Sequence, residues 1–335
     1  MNAGSLPGAR ILSTCLILGT IAIATAAAQP AKSSSVRTPR TPWGDPDLQG
    51  MWTNATATPF ERPKELEGTQ LLTESELAVR DRQVAQENST DNAPPAGNPG
   101  SHNEFWRERG KLGKRTSLVV DPPDGKLPPL TPEGQAAQAR LAAAAKASPA
   151  DGPESRNLFE RCITRGLPGA MMGDFYNHNY HILQTPGYVV ISVEMIHDVR
   201  IIPLDGRPHV GPQIQQWLGD SRGRWDGGTL VVETTNLANV NDRAVNRMLG
   251  IIIFGTSPKA RVIERFTRLD AETIDYQVTV DDPATYTRSW TAAVPMTRLQ
   301  GTLFEFACHE GNYGMEGILV GHRAEEKAAA AAGRK

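Results

Sequence analysis

The sequence has little charge excess and, after its first 28 residues, no long apolar run. Over 335 residues the formal net charge is -2, and it becomes -3 without residues 1 to 28, which contain Arg10 and no acid. Binding to nucleic acid or to an anionic membrane surface needs a concentrated basic face that exchanges counterions. We therefore expect neither partner, and no integral membrane segment after signal removal, because a spanning helix needs about 20 apolar residues.

Motifs for nucleotide and metal chemistry are also scarce. No Gly-x-Gly-x-x-Gly or Walker-type loop follows a strand pattern, so nucleotide chemistry has no support. His178 and His181 offer the nearest approach to a metal motif, but a spacing of three on a strand directs two side chains to opposite faces. The sequence therefore predicts no cofactor and no metal site.

Cysteine is rare, with three residues in the whole chain. Cys15 lies within an N-terminal segment, Met1 to Ala28, whose short n-region, apolar run and Ala26-Ala27-Ala28 cleavage site are typical of an export signal. We therefore predict a periplasmic or secreted protein. In such an oxidising compartment, Cys162 and Cys308 are expected either to form a structural disulfide or to remain as two buried thiols.

Composition divides the chain into five parts. These are a signal peptide at 1–28, a flexible tether at 29–42, a loop-rich and partly helical extension at 43–160 that contributes an entry strand, a β-barrel domain at 161–322 and a C-terminal helix or tail at 323–335. In the extension, Thr73 and Glu76 form a capping box that predicts a helix to about Glu87. A second, alanine-rich helix is predicted from Pro132 to Lys146.

From Tyr180 to Gly321, short β-branched runs alternate with turn residues. Eight strands are predicted: Tyr188 to Glu194, Val199 to Ile202, Trp217 to Trp225, Thr229 to Thr234, Arg261 to Arg268, Thr273 to Asp281, Tyr286 to Val294 and Leu303 to Cys308. Consecutive hairpins must close on themselves or leave pairing edges exposed. The predicted fold is mainly β, an antiparallel up-and-down barrel of about eight strands, whose interior has room for side chains or one small ligand.

Alternation along the Trp217 strand indicates which residues line the barrel. Trp217, Gly219, Ser221, Gly223 and Trp225 share one face. Two glycines beneath flanking indoles would leave room for a flat or apolar guest. The alternative is that the glycines mark strong coiling of the strand.

The next strands place an acid on the inner face. Glu264 alternates with Phe266, and Tyr276 lies on one face of the following strand. A buried carboxylate must find a partner or take up a proton, and Arg200 is expected to supply the positive charge. Glu264 is therefore predicted to be a structural ion pair, with a general acid or base as the alternative.

A further cluster, Cys308-His309-Glu310, lies near the end of the array. Neighbours along a strand face opposite ways, so the histidine cannot take the thiol proton directly. If Cys308 is bridged to Cys162, His309 and Glu310 remain at a barrel rim as an acid/base pair.

Three segments carry a resemblance to known families. Gly50-Met51-Trp52 resembles the Gly-x-Trp signature of lipocalins and related calycin barrels, in which the tryptophan plugs one barrel end. The segments Trp217 to Thr234 and Cys308 to Tyr313 resemble a set of exported bacterial proteins without an assigned activity. The resemblance implies an exported barrel, and it implies no particular reaction.

Three functions are compatible with these patterns. The first is a barrel that binds a small apolar or aromatic molecule through Trp217, Ser221, Trp225, Arg200, Phe266 and Tyr276. The second is a cofactor-independent hydrolase, lyase or isomerase whose catalytic residues are Glu264, His309 and Glu310. The third is a structural or envelope protein whose barrel is filled by its own side chains.

Overall fold

Antiparallel strands dominate the structure, as the sequence predicts. A computed structural model describes residues 1, 39–87, 108, 110–147, 150–173, 177–238, 246–248, 251–253 and 256–333. The predicted signal peptide at 1–28 and most of the tether at 29–42 lie outside these residues. From residue 39 onward the described chain belongs to one compact unit.

Strands and helices alternate unevenly along the chain. The strands are β1 Gly50–Thr53, β2 Val119–Asp121, β3 Asn179–Thr185, β4 Tyr188–Val193, β5 Val199–Pro203, β6 Asp220–Asp226, β7 Thr229–Thr235, β8 Asn246–Met248, β9 Ile251–Ile253, β10 Arg261–Arg268, β11 Thr273–Asp281, β12 Trp290–Ala293 and β13 Met296–Arg298. The α-helices are α1 Glu74–Glu87, α2 Pro132–Ala147 and α3 Tyr313–Ala332. Among the described residues, no helix combines the length and apolar character needed to cross a bilayer.

Nine strands form the wall of a nearly closed barrel, in the order β5-β4-β3-β1-β13-β11-β10-β7-β6. β12 pairs with one half of β11 and with β2, and so leaves the wall, while β8 and β9 form a separate hairpin. Every ladder between described strands is antiparallel. The predicted mainly β barrel is therefore confirmed, with β1 as its entry strand.

Side chains of alternate residues fill the barrel. In β10 and β11, Glu264 lies opposite Val278, and Phe266 lies opposite Tyr276. All four side chains have 0% exposed surface. Since a void large enough for water would expose its lining, no such void adjoins these residues, and burial of this apolar surface stabilises the fold by about 25 cal/mol per Å².

Side chains, rather than a ladder, close the barrel between β5 and β6. The two strands lie next to each other, but they stand at opposite ends of the hydrogen-bonded order. A Cβ atom added at Gly223 of β6 would lie 2.6 Å from Leu204 Cδ2 and 2.9 Å from Ile202 Cγ2. Glycine is required there because the side chains of the β5 region pack directly onto the backbone of β6.

Trp52 is completely buried at one end of the barrel. Its ring lies between two guanidinium groups, 5.1 Å from that of Arg298 and 5.5 Å from that of Arg268, distances suited to cation–π attraction. Gly50 has φ +132°, and a Cβ there would overlap the Arg298 guanidinium. The Gly-x-Trp pattern thus leaves room for the arginine that covers the tryptophan.

A plug segment, residues 164–172, is buried throughout and covers the other end. The Tyr180 hydroxyl, inside the barrel, donates to the Ala170 carbonyl at 3.3 Å. The Asn54 amide donates to the Met171 carbonyl at 2.9 Å. Leu167 and Met171 belong to the same apolar core as the barrel interior, so the core extends without a break into the plug.

The helices follow the predicted positions, with one difference. The backbone nitrogen of Thr73 donates to Glu76 Oε2 at 2.8 Å, which confirms the capping box before α1. The alanine-rich helix also forms, as α2. α3 begins ten residues before the predicted Arg323, because Asn312 caps its first turn by accepting from the Met315 backbone nitrogen at 3.2 Å.

Three predicted strands differ from the structure: those that begin at Trp217 and Leu303, and the strand predicted from Tyr286 to Val294, of which Trp290–Ala293 forms. Trp217 lies in a turn before β6, since the positive φ of Gly219 (+67°) interrupts the extended backbone. Residues 303–308 are not part of any ladder. Their backbone instead bonds to side chains, with Phe304 N donating to Glu194 Oε1 at 3.4 Å and His197 Nδ1 donating to Phe306 O at 3.2 Å. We call residues 303–308 the strap.

The strap is fastened by a disulfide between Cys162 and Cys308, which confirms the predicted bridge. The two cysteines are separated by 146 positions, so the bridge removes much of the chain entropy of the unfolded state. It also holds the strap against the segment that leads into the plug.

Replacing both cysteines, by Cys162→Ala with Cys308→Ala, should lower the free energy of unfolding by about 2–5 kcal/mol. Urea denaturation of the oxidised wild type, the reduced wild type and the double variant measures this. The reduced wild type should resemble the double variant. Equal stability of all three proteins would show that the bridge contributes nothing to the fold.

Candidate functional site

A buried ion pair lies in the middle of the barrel. Arg200 Nη1 donates to Glu264 Oε1 at 2.8 Å and Nη2 donates to Oε2 at 2.5 Å. The Tyr276 hydroxyl donates to Glu264 Oε1 at 3.0 Å. Arg200 Nη2 also lies 3.3 Å from Ser221 Oγ, which bonds Thr234 in turn. Strands β5, β6, β7, β10 and β11 are thereby joined, and the predicted pairing of Arg200 with Glu264 is observed.

This pair behaves as a structural element. Arg200 is 3% exposed and Glu264 is 0% exposed, so neither meets solvent or a guest in this structure. Burial, followed by the charge of Glu264, raises the pKa of Tyr276 well above its usual value, which keeps the phenol protonated and able to donate. Both carboxylate oxygens of Glu264 have partners, and a satisfied bidentate pair has little tendency to act as an acid or base.

Glu264→Gln should cost about 3–5 kcal/mol of unfolding free energy, because it leaves Arg200 buried without its counter-charge. Replacing both partners, by Arg200→Met with Glu264→Leu, should cost less than Glu264→Gln alone. Thermal and urea unfolding of the three proteins test this. A double variant less stable than the single one would contradict the assignment of the pair as a desolvated ion pair.

The other residues predicted to bind a ligand are dispersed. Phe266 packs against Tyr276 with ring centroids 4.7 Å apart, inside the filled core. Trp225 packs partly buried against that core, and its indole nitrogen has no partner among the described residues. Trp217 is 45% exposed outside β6. The two indoles therefore do not flank one cavity.

The space expected above the two glycines is filled, which corrects that expectation. A Cβ at Gly219 would lie 2.4 Å from the Thr235 carbonyl oxygen, and Gly223 is covered from β5 as described above. The alternative interpretation, that the glycines serve the backbone course and close packing of the strand, fits these contacts.

The three predicted catalytic residues do not share a site. Glu264 is sealed in the core, whereas His309 and Glu310 are exposed in the turn before α3. Cys308 is bonded to Cys162 and is unable to act as a nucleophile. The structure therefore brings no acid/base pair of this set together.

A different polar cluster lies beside the plug, at the start of β3 and the end of β4. We call Glu108, Asn177, Asn179 and Glu194 the rim cluster. Asn179 Nδ2 donates to Glu108 Oε1 at 2.8 Å and to Glu194 Oε2 at 2.7 Å. Asn177 Nδ2 donates to Glu194 Oε1 at 2.9 Å. The Asn179 amide nitrogen thus bonds both carboxylates. The two oxygens that it bonds, Glu108 Oε1 and Glu194 Oε2, can be separated by no more than the sum of these two hydrogen-bond distances.

The rim cluster is the part of the described chain in which hydrogen-bonding capacity is most clearly unused. Asn177 Oδ1, Asn179 Oδ1 and Glu108 Oε2 are buried atoms without a hydrogen-bond partner. Asn179 itself is 3% exposed. Buried polar atoms nearly always have partners, so an unpaired group indicates a missing water, ion or ligand. Three unpaired acceptors in one cluster indicate a place built to receive hydrogen-bond donors.

The cluster also lacks positive charge. Within the described ranges, no lysine or arginine forms a salt bridge with Glu108 or Glu194. Burial raises the pKa of Glu108, the Asn179 side-chain amide lowers it, the nearby charge of Glu194 raises it, and the backbone N–H groups of His178 and Asn177 lower it, with a net shift upward. Uncompensated carboxylates this close repel each other and favour a shared proton or an added cation.

Strained backbone surrounds the cluster. Asn177, Ile196 and His197 have φ values of +52°, +63° and +48°, in the left-handed region that disfavours a β-branched residue such as isoleucine. Ile196 lies two residues after Glu194 and is 3% exposed. Strain of this kind persists only where the surrounding structure over-determines it, and it concentrates at functional sites.

His178 lies behind the rim cluster, on the inner face of the chain. It is 1% exposed, and its Nδ1 lies 3.3 Å from Arg165 Nη1. Arginine only donates, so Nδ1 accepts and the neutral ring carries its proton on Nε2. Burial and then Arg165 hold the pKa of His178 well below its usual value. Nε2 has no partner in the described structure, and His181 points outward from β3, so the two histidines face apart as predicted.

Sequence reasoning considered His178 but missed the rim cluster. Its members come from three separate segments, and Glu108 lies in the loop-rich extension, between the two predicted helices. The one available signal was the Asn-His-Asn run at 177–179, in which polar residues occupy both faces at the start of an otherwise apolar strand.

Comparison with protein-family models, with curated proteins and with solved structures finds no match to this chain. The barrel architecture defines the class of fold, and its side chains are the only guide to function.

Glu108→Gln should stabilise the protein at neutral pH. Because the folded-state pKa of Glu108 is raised from 4.5, wild-type stability is greatest below that pH and falls as pH rises through the folded pKa. Glutamine stays neutral and so removes this loss of stability. The melting temperature of the variant should be higher than that of the wild type near pH 7.5 and equal to it near pH 4. Glu272→Gln, at an exposed position, is the control. A lower melting temperature for Glu108→Gln at neutral pH would contradict this electrostatic account.

Proposed function

We propose that this chain is an exported β-barrel protein that binds a small molecule at the rim cluster, between the barrel wall, the plug segment and the strap. The observation that carries the proposal is the set of three buried, unpaired acceptors on Asn177, Asn179 and Glu108. A bound molecule with hydrogen-bond donors would satisfy them, as polar groups in ligand sites do.

The filled interior explains why the ligand would bind at the end of the barrel. Core residues such as Phe266 and Tyr276 are fully buried by one another, which favours the rim over the middle of the barrel. Export is supported by the signal-like sequence at 1–28 and by the Cys162–Cys308 disulfide, because such bridges persist in oxidising compartments.

The strap supplies a route for entry. It makes no ladder; Phe304 N and Phe306 O bond side chains of the barrel, and Phe306 and Cys308 pack against the core. Phe304 is 74% exposed. Because the three acceptors have no exposed surface, a ligand would reach them only when Phe304 moves away from Glu194, while Cys308 stays fixed to Cys162.

Asn179→Ala should abolish ligand binding, because Asn179 holds both carboxylates and carries one of the open acceptors. We would screen a chemically diverse library for compounds that raise the melting temperature of the wild-type protein, and then repeat the positive compounds with the variant. A ligand present at 100 times its Kd stabilises a protein by about 2.7 kcal/mol, a readily measured shift.

Thr185→Ala, at an exposed position at the far end of β3, is the matched control and should respond as the wild type does. Positive compounds that stabilise Asn179→Ala equally would move the binding site elsewhere. A library without any stabilising compound would contradict the binding function itself.

A further inference from the structure

The charge of the rim cluster defines the chemistry of its ligand. Resting on the binding function proposed above, we propose that the ligand is a primary ammonium compound with an apolar body, and that its ammonium group donates to Glu108, Asn177 and Asn179 beside the carboxylate of Glu194.

Charge is the first argument. Glu194 is 2% exposed and, in the part of the chain that the structure describes, its carboxylate contacts are the amides of Asn177 and Asn179 and the Phe304 backbone nitrogen. Glu108 contributes a second carboxylate through the shared Asn179 amide. Buried charges are normally paired, and a ligand that brings one positive charge would offset the charge of one of the two carboxylates.

Hydrogen-bonding capacity is the second argument. An alkylammonium group has three N–H donors and no acceptor, and the four side chains of the cluster offer three open acceptors. The amide orientations are fixed by these contacts, since a flipped Asn179 would point its oxygen at both carboxylates.

The same contacts disfavour a metal ion. Both oxygens of Glu194 and one oxygen of Glu108 already accept amide hydrogens, which leaves three open oxygens for a cation such as Ca²⁺ that takes six to eight. An ammonium group needs no more acceptors than the three available.

Phe304 supplies the apolar contact. Its backbone nitrogen bonds Glu194, so its ring is attached directly beside the cluster, and it is 74% exposed. The apolar body of the ligand would cover this ring, and an aromatic face also attracts cations.

Calorimetric titration of the full-length exported protein at about pH 8 with hexylamine, hexan-1-ol and CaCl₂ tests the proposal, since a primary amine remains charged there. We expect saturable binding of hexylamine and none of hexan-1-ol. Glu108→Gln should weaken hexylamine binding about tenfold or more, because it removes a charge-assisted contact, although its melting temperature should not fall. Glu272→Gln, with the same loss of charge at an exposed position, should bind as the wild type does.

Several results would overturn the ammonium assignment. These are hexan-1-ol binding as tightly as the amine, unchanged amine affinity in Glu108→Gln, calcium binding in place of the amine, and no amine binding at all. If neutral library compounds nevertheless stabilise the wild type and not Asn179→Ala, the binding function holds and the ligand class alone is wrong. If no compound of any class binds, both proposals fail.

Discussion

The barrel depends on contacts across one seam. β5 and β6 meet without a ladder, so the wall there is held by side chains: Leu204 and Ile202 pack onto the bare backbone of Gly223, and Arg200 crosses the interior to Glu264. The pair is costly to desolvate and stable only when both charges are present. Because the pair joins β5 to β10 through the interior, the same side chains close the wall and fill the middle of the barrel. No central space is left for a guest.

Because the interior is filled, a ligand could bind only at the ends of the barrel, and the two ends differ in how well their polar groups are paired. At the Trp52 end, the guanidinium groups of Arg298 and Arg268 lie over the buried Trp52 ring. Arg298 also donates to the Gln49 carbonyl, and Arg268 donates to the Asp47 carbonyl. At the plug end, Glu108 and Glu194 form no salt bridge with a lysine or arginine of the described residues, and the side-chain oxygens of Asn177 and Asn179 have no hydrogen-bond partner. The first arrangement is typical of a structural closure, and the second has the incomplete satisfaction expected of a site that awaits a ligand.

Stability and binding would then oppose each other at Glu108. The raised pKa of this residue means that its charged form destabilises the empty protein. A cationic ligand would turn the same charge into a favourable contact. Natural binding sites often retain such groups at the expense of stability.

Much of the barrel follows from sequence patterns, because strand alternation and turn residues act locally. The Asp226-Gly227-Gly228 turn and the inward Glu264 follow from these local patterns, whereas the disulfide of Cys162 with Cys308 was suggested by the cysteine count and the export signal. Trp217 was misplaced because alternation does not reveal the positive φ of Gly219. The composition of the strap predicts a strand, but among the described residues no strand pairs with it.

The rim cluster was beyond such reasoning for a physical reason. Glu108, Asn179 and Glu194 meet only after the wall, the plug and the extension have packed, and a single sequence does not specify that meeting. Their residue types are also those of ordinary loops and turns. What distinguishes the cluster is that some of its buried oxygens have no hydrogen-bond partner. This is a property of the folded protein and is not visible in the sequence.

The most direct measurement is side-chain NMR of the protein during titration with hexylamine. The account predicts that the Asn177 and Asn179 side-chain amide signals move with ligand occupancy while the signals of the Arg200 guanidinium and the Trp225 indole stay in place. Movement of the Arg200 and Trp225 signals with unchanged asparagine amides would place the ligand inside the barrel and contradict the account.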